Sequence, residues 1–442
     1  MILFPIFRLI WSLAFFAALP FIVLISLVVS KWRAGLSEKL GFIKFSKDIL
    51  SNKNIWVHAV SYGEVKTVEP LIYELQKAFP EYNICLSTGT QTGQNLAKSL
   101  FSHNSNNSKL LKNIFVFYCP FDFCFSVKSL MNKLNPKMLI VAETEIWPEM
   151  LAQAKQKAIP TFLVNARLTN RSVNRYKFLK PIFGQVLKTF TGIYTQSERD
   201  KIRFLEIGAL SERMKVLPNL KFDSMQKAQP EKVDELKQEL NIKANSIVLI
   251  AGSTHKGEEE LICKLFSSLL SHFHNKNLNL DLRLILAPRH LDRVHEVESI
   301  CKNHKLIFRK RSQNNAREFE AGQALLLDTM GELSQMYAVS DIALLGGTWA
   351  KIGGHNPLEA AVYNIPILVG EHIYKISDLA DQLAELGLLF QTISYESLFT
   401  KILELIQNEN NNDNSLQPKA KIELDKSVSS SIIELIKQST DF

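Results

Sequence analysis

Residues Trp56–Val65 read WVHAVSYGEV: apolar residues as far as Val60, a short polar turn, then the opening of a helix with Glu64 in its first turn. A strand that runs directly into a helix is the repeating unit of parallel sheets, because parallel neighbours need a crossover. The same unit returns along the chain. Apolar runs at Ile55–Val60, Ile84–Ser87, Ile114–Tyr118, Met138–Ala142, Thr161–Val164 and Ile193–Thr195 predict strands in the first half. Between them Val68, Leu71, Ile72, Leu75 and Phe79 fall at helical spacing within Val65–Phe79. The series restarts at Ile247–Ala251 and continues through Leu282–Ala287, Leu306–Phe308, Ala324–Leu327, Ile342–Leu345 and Ile365–Val369. The polar stretch Lys221–Lys243 separates the two series. The expectation is an α/β protein of two Rossmann-like domains, residues 34–220 and 221–442, with a ligand cleft at the carboxyl ends of their strands.

Residues 1–33 have a different character. Leu9–Ser30 is 22 residues without a charge, and as a helix it reaches about 33 Å, enough for a hydrocarbon core of about 30 Å. Trp11 and Trp32 flank it, and Pro20 would kink it. Arg8 precedes the run, whereas Lys31, Arg33, Lys39, Lys44, Lys47 and Lys53 follow, so the positive-inside rule places the remainder in the cytoplasm. The run is too long for a signal peptide and has no polar face for a surface-lying helix. The prediction is a single-pass membrane anchor with the remainder of the chain on the cytoplasmic side.

The 442 residues are 46% hydrophobic and 22% charged, which excludes wholesale disorder. Lys and Arg (52) exceed Asp and Glu (44) by 8, suiting an anionic partner. Five cysteines without a Cys-x-x-Cys argue against a disulfide framework or structural zinc. No dinucleotide fingerprint follows the first strand. GSTHKG (Gly252–Gly257) has P-loop spacing, but Glu258 and Glu259 stand where Lys and Ser/Thr are needed. The common metalloprotease and serine-hydrolase motifs are missing too, and no metal-ligand cluster is visible. Asn-rich segments at Ser102–Ser108 and Asn408–Ser415 read as solvent loops.

What remains is a set of polar strand-end loops. Glu64 is either a first-turn acid favoured by the helix dipole or a carboxylate placed to deprotonate a hydroxyl. ETEIWP (Glu143–Pro148) sends two acids from a buried strand, and Glu143 and Glu145 would share a face if extended. GSTHKGEEE (Gly252–Glu260) offers hydroxyls and N–H groups as an anion seat, and APRH (Ala287–His290) a guanidinium for phosphate. DTMGELSQMY (Asp328–Tyr337) and GGTWAKIGGHNPLEAA (Gly346–Ala361) also follow strands, the latter placing Glu359 where it could accept both hydroxyls of a ribose.

HAVSYGE, ETEIWP, NARL, NLKFD, AGSTHKGEEE, APRH, DTMGEL and GGHNPLEAA, in this order behind an apolar N-terminus, resemble the bacterial 3-deoxy-D-manno-octulosonic acid (Kdo) transferases. The resemblance implies a GT-B glycosyltransferase fold, work at the inner membrane, and transfer of Kdo from CMP-Kdo to a lipid A precursor. By the same resemblance Glu64 matches the general base, and Glu143 and Lys221 match groups that stabilise the transition state. The CMP contacts map to Pro288 and Arg289, to Met330, Gly331 and Glu332, and to Asn356, Pro357, Leu358 and Glu359. Pro218 and Lys351 depart from the usual Gly and Pro of the family.

The chemistry implied is inverting and metal-independent, with no cofactor beyond the donor itself. A base takes the acceptor's proton while a cation meets the charge growing on the CMP phosphate. The partners are the lipid, the donor and the membrane, and nucleic acid is not among them. Two other readings are open: another GT-B nucleotide-sugar enzyme such as an epimerase, or a membrane-tethered nucleotide-binding protein without catalysis.

Overall fold

Strands buried on both faces read as nearly unbroken apolar runs, and those of the first half become seven parallel strands. The computed structural model describes residues 3–29, 33–101, 113–225, 227–276, 278, 280–313, 318–410 and 427–440. The Asn-rich segment at Ser102–Ser108, most of that at Asn408–Ser415, and Lys31 and Trp32 lie outside them. The first sheet comprises β1 (Lys53–His58), β2 (Tyr82–Thr88), β3 (Ile114–Tyr118), β4 (Pro136–Ala142), β5 (Thr161–Ala166), β6 (Gly192–Thr195) and β7 (Met214–Val216), in the order β3-β2-β1-β4-β5-β6-β7. The second comprises β8 (Ser246–Thr254), β9 (Asp281–Pro288), β10 (Phe308–Lys310), β11 (Ala324–Leu326), β12 (Ile342–Leu345), β13 (Ile367–Val369) and β14 (Leu389–Gln391), in the order β10-β11-β9-β8-β12-β13-β14. Every recorded pairing is parallel.

Each sheet carries its own core. Trp56, Phe117, Leu139, Met150 and Leu163 are buried in the first, and Leu249, Phe266, Leu284, Leu326 and Leu344 in the second. Even the indole of fully buried Trp56 is satisfied, donating to Ser87 Oγ at 2.8 Å.

The chain forms two units, Met1–Ser224 with Asp425–Phe442, and Met225–Leu424. The expected boundary after residue 220 therefore shifts to Ser224, and the end of the chain belongs to the first unit rather than the second. The reason is local. Asp223 accepts hydrogen bonds from the N–H groups of Val428 (2.8 Å) and Ser429 (2.6 Å) at the start of helix Val428–Gln438. That helix then buries Val428, Ile432, Ile433 and Ile436, and Lys437 stacks its ammonium over Phe79.

The N-terminal helix α1 (Leu3–Val28) includes a stretch, Arg8–Val28, long and apolar enough to cross a membrane, with 6% of it buried. Its early turns are docked on the first unit. Arg8 forms a forked ion pair with Glu149 at 2.6 and 2.7 Å, Trp11 donates to the Asp122 carbonyl, and Phe15 stacks on Phe123 with ring centres 4.5 Å apart. At the other end the Arg33 guanidinium donates to the Ser26 and Leu27 carbonyls and so caps the helix.

Candidate functional site

In the first sheet the chain winds from β1 outward through β2 to β3, and from β4 the other way to β7. The β1/β4 junction is thus the switch point beyond whose strand ends α/β sheets hold ligands. Glu64 and Glu143 both lie there. Ser61 caps helix α2 (Tyr62–Ala78) by accepting from the Glu64 N–H. In return the Glu64 carboxylate accepts from the Ser61 hydroxyl and from the N–H of Val60, the residue before the cap, each at 2.8 Å. Only 8% of Glu64 is exposed. Burial pushes its carboxyl up to about 7, with Glu145 and Glu143 adding repulsion against the pull of Val60 and Ser61. The cap therefore fixes the position of the carboxyl, and burial raises its proton affinity toward neutrality.

Glu143 is the first residue after β4, and its N–H bonds to the Val164 carbonyl at 2.9 Å. It adopts a left-handed φ of 57°, a conformation costing a side-chain-bearing residue about 1–2 kcal/mol. Strain at a strand end re-aims the side chain, and here it overturns the extended segment on which Glu143 and Glu145 would share a face. Glu145 instead accepts from the Trp147 indole, and burial raises its carboxyl.

Lys221 sits on the turn Leu220–Ser224, which packs against α2. Asn165 of NARL, itself left-handed at φ 52°, accepts from the Leu220 N–H at 3.0 Å, and Asn219 accepts from the Lys221 N–H at 3.0 Å. NARL and NLKFD thus form one structure. In the first unit Glu143 lies near enough to act on the Glu64 carboxyl, and the turn that carries Lys221 packs against α2.

In the second sheet the switch point lies between β8 and β12. The loops beyond them are pinned together by Glu258. This buried carboxylate accepts from the N–H groups of His255, Gly347, Thr348, Trp349 and Ala350 at 2.8–3.1 Å. Glu259, equally buried, takes Thr254 and a forked contact from Arg293. The Thr254 hydroxyl and the His255 N–H, expected to serve an anion at GSTHKGEEE, are therefore taken by the protein's own acids.

The expected nucleotide contacts divide by exposure. Arg289 is exposed at the end of β9, past buried Pro288, and its charge opposes the burial that raises the Glu359 carboxyl. Met330 is 82% exposed beside Gly331, whose φ is 84°. Glu332 is held by Arg311 at 2.9 and 3.0 Å and by the Thr329 hydroxyl. Asn356 accepts from the Leu358 N–H at 3.2 Å, and Pro357 caps the short helix Leu358–Ala361. The Leu358 side chain belongs to the core.

Reading motifs singly missed what two of them do jointly. His255 and His355, from the loops after β8 and β12, join through their Nε2 atoms at 2.7 Å, and His290 lies beside His255 with ring centres 5.7 Å apart. Each of these histidines lies in a loop that follows a strand of the second sheet, which by itself did not show that the rings meet. Among the described residues no group of three or more His, Cys, Asp or Glu is arranged to hold a metal ion.

Two Rossmann-like units with polar loops at both switch points define a glycosyltransferase-type GT-B protein. UDP-GlcNAc 2-epimerase from Neisseria meningitidis, solved with UDP-GlcNAc, shares this fold at a TM-score of 0.50 and 14% identity, over 87% of this chain and 100% of that one. The family profile described as 3-deoxy-D-manno-octulosonic-acid transferase (kdotransferase) matches residues 34–224. A 3-deoxy-D-manno-octulosonic acid transferase of Haemophilus influenzae is 33% identical over 88% of this chain and 87% of its own length. One from Rickettsia felis is 31% identical over 83% and 73%. The chain belongs to the 3-deoxy-D-manno-octulosonic acid transferase family, and it is a glycosyltransferase.

Proposed function

We propose that this protein transfers Kdo from CMP-Kdo to the lipid A precursor in lipopolysaccharide core biosynthesis, by a metal-independent inverting displacement. The observation that carries the reading is the Glu64 carboxyl, buried at the β1/β4 switch point and raised to about 7. An acceptor hydroxyl there gives its proton to Glu64 as its oxygen bonds to the anomeric carbon of the donor. The bond from that carbon to the phosphate oxygen breaks, and CMP leaves with the bonding electrons. Glu143 supplies negative charge for the oxocarbenium-like carbon, and Lys221 positive charge for the departing phosphate. In the second unit Arg289 holds the phosphate and Glu359 the ribose hydroxyls. The exposed face of α1 holds the protein to the inner membrane, with both units on the cytoplasmic side where the lipid acceptor is reached.

The test is direct. The full chain in detergent, given CMP-Kdo and tetraacyl lipid A precursor, should yield a lipid heavier by whole Kdo residues and release CMP only when the lipid is present. CMP release without lipid, or a lipid of unchanged mass, would overturn the reading.

A further inference from the structure

The two loops at the second switch point meet through imidazoles. His255 Nε2 and His355 Nε2 are 2.7 Å apart, the ring planes differ by 4°, and the ring centres are 5.0 Å apart. That separation is the contact plus the radius of each ring, so the rings are coplanar and the nitrogens meet head-on. One of them carries the bridging hydrogen and the other a lone pair; two N–H groups cannot point at each other across this distance. The charged and titratable neighbours facing the pair are Glu258, Glu259, Arg289, His290, Arg293 and Lys375. Glu258 and Glu259 are already engaged by five N–H groups and by Arg293, which leaves a locally cationic surface at a strand-end ligand position.

We propose that the His255–His355 pair is a proton-linked seat for the donor's phosphoryl group. Without ligand the pair shares one bridging proton and carries no net charge. An anion arriving beside Arg289 draws one proton from solvent onto the bare nitrogen. The bridge then breaks, one ring turns, and two N–H donors face the anion. Burial holds both rings below the ordinary histidine range, His355 at about 4, so the pair is neutral at pH 7 until an anion compensates the added charge.

The inference rests on the nucleotide reading above. The probe is CMP methyl ester, a phosphodiester with no group titrating near neutrality. Calorimetry of the full chain in detergent, in two buffers of different ionisation enthalpy, should show proton uptake on binding. Affinity should fall several-fold from pH 6 to 8, the limit being about tenfold per pH unit for one whole proton. His355→Asn and His255→Asn should bind with smaller uptake and a flatter pH profile. Binding by the unaltered protein without uptake overturns this proposal alone and needs no variant. Variants that keep the full uptake overturn it as well. No binding of CMP methyl ester or of CMP overturns both this proposal and the nucleotide reading.

Discussion

Asp223 and Ser429 are joined by a 2.6 Å hydrogen bond from the Ser429 N–H to the Asp223 carboxylate, across 206 positions of sequence. The bond ties the turn that carries Lys221 to the last helix of the chain. Asp223→Ala removes a helix cap worth about 0.5–2 kcal/mol and frees the Lys221 turn. The expected result is a modest loss in thermal stability with a larger loss in transfer rate, while CMP affinity is unchanged. A rate that falls only as far as the folded fraction would make Asp223 merely structural.

Glu64 gives two pH signatures. As a base it must be ionised, so the transfer rate should rise with pH through about 7. Glu64→Gln should lower the rate by about 10²–10⁴-fold and remove that limb. Stability runs the opposite way. A carboxyl raised above its ordinary 4.5 on folding stabilises fully below 4.5, and this contribution is lost as pH rises through about 7. Chemical denaturation at pH 5 and 8 should therefore show a smaller drop for Glu64→Gln than for the unaltered chain.

Arg289 is exposed at the end of β9, where the proposed function puts the donor phosphate. Arg289→Ala should weaken CMP binding by about 10- to 100-fold, the range of a charge-assisted hydrogen bond of about 1.5–3 kcal/mol. Binding of cytidine, which lacks the phosphate, should hardly change. Equal loss for both ligands would place Arg289 elsewhere.

Glu258 answers five backbone N–H groups with one carboxylate. Glu258→Ala strands these donors, at about 1–3 kcal/mol for each that stays buried and dry. The second unit should then fail to fold or melt far below its parent, and Glu258→Gln, keeping one acceptor oxygen, should recover part of the loss. Calorimetric melting would show this directly.

The Arg8–Glu149 ion pair bears on how α1 meets the membrane. A single crossing would carry Arg8 to the far face of the bilayer, whereas the pair holds it against the first unit. A cysteine in place of Phe4 should accordingly react with an impermeant thiol reagent in inverted vesicles and not in right-side-out spheroplasts. The opposite pattern would show that the pair opens on insertion. Removal of residues 1–33 should in either case reduce sedimentation with membranes.

Much of the fold was legible because parallel strands buried on both faces leave long apolar runs. β3 and β12 fall on the expected residues, and most other strands differ by a few positions at their ends. β7 and β14 were not legible: each is three residues long at a sheet edge, too short for periodicity to register. Glu64 could be picked out, since a strand, a polar turn and an acid are contiguous. Its proton affinity could not, because that depends on burial and on Glu145 and Glu143, which the fold alone brings near. His255 and His355 are 100 positions apart, and nothing in either loop announces the other.

The return of helix Val428–Gln438 to the first unit also sets an order of events on the ribosome. β1–β7 emerge early, yet the residues that cover α2 and hold Asp223 are made last, after the roughly 200 residues of Met225–Leu424. At about 5–20 residues per second that interval lasts about 10–40 s. Throughout it the surface awaiting Ile432 and Ile436 is open to solvent and the Lys221 turn has no clamp. The second unit can close as it emerges, while the first is completed only with the final turns of the nascent chain, so a prematurely terminated polypeptide would hold an intact second unit and an unfinished first one.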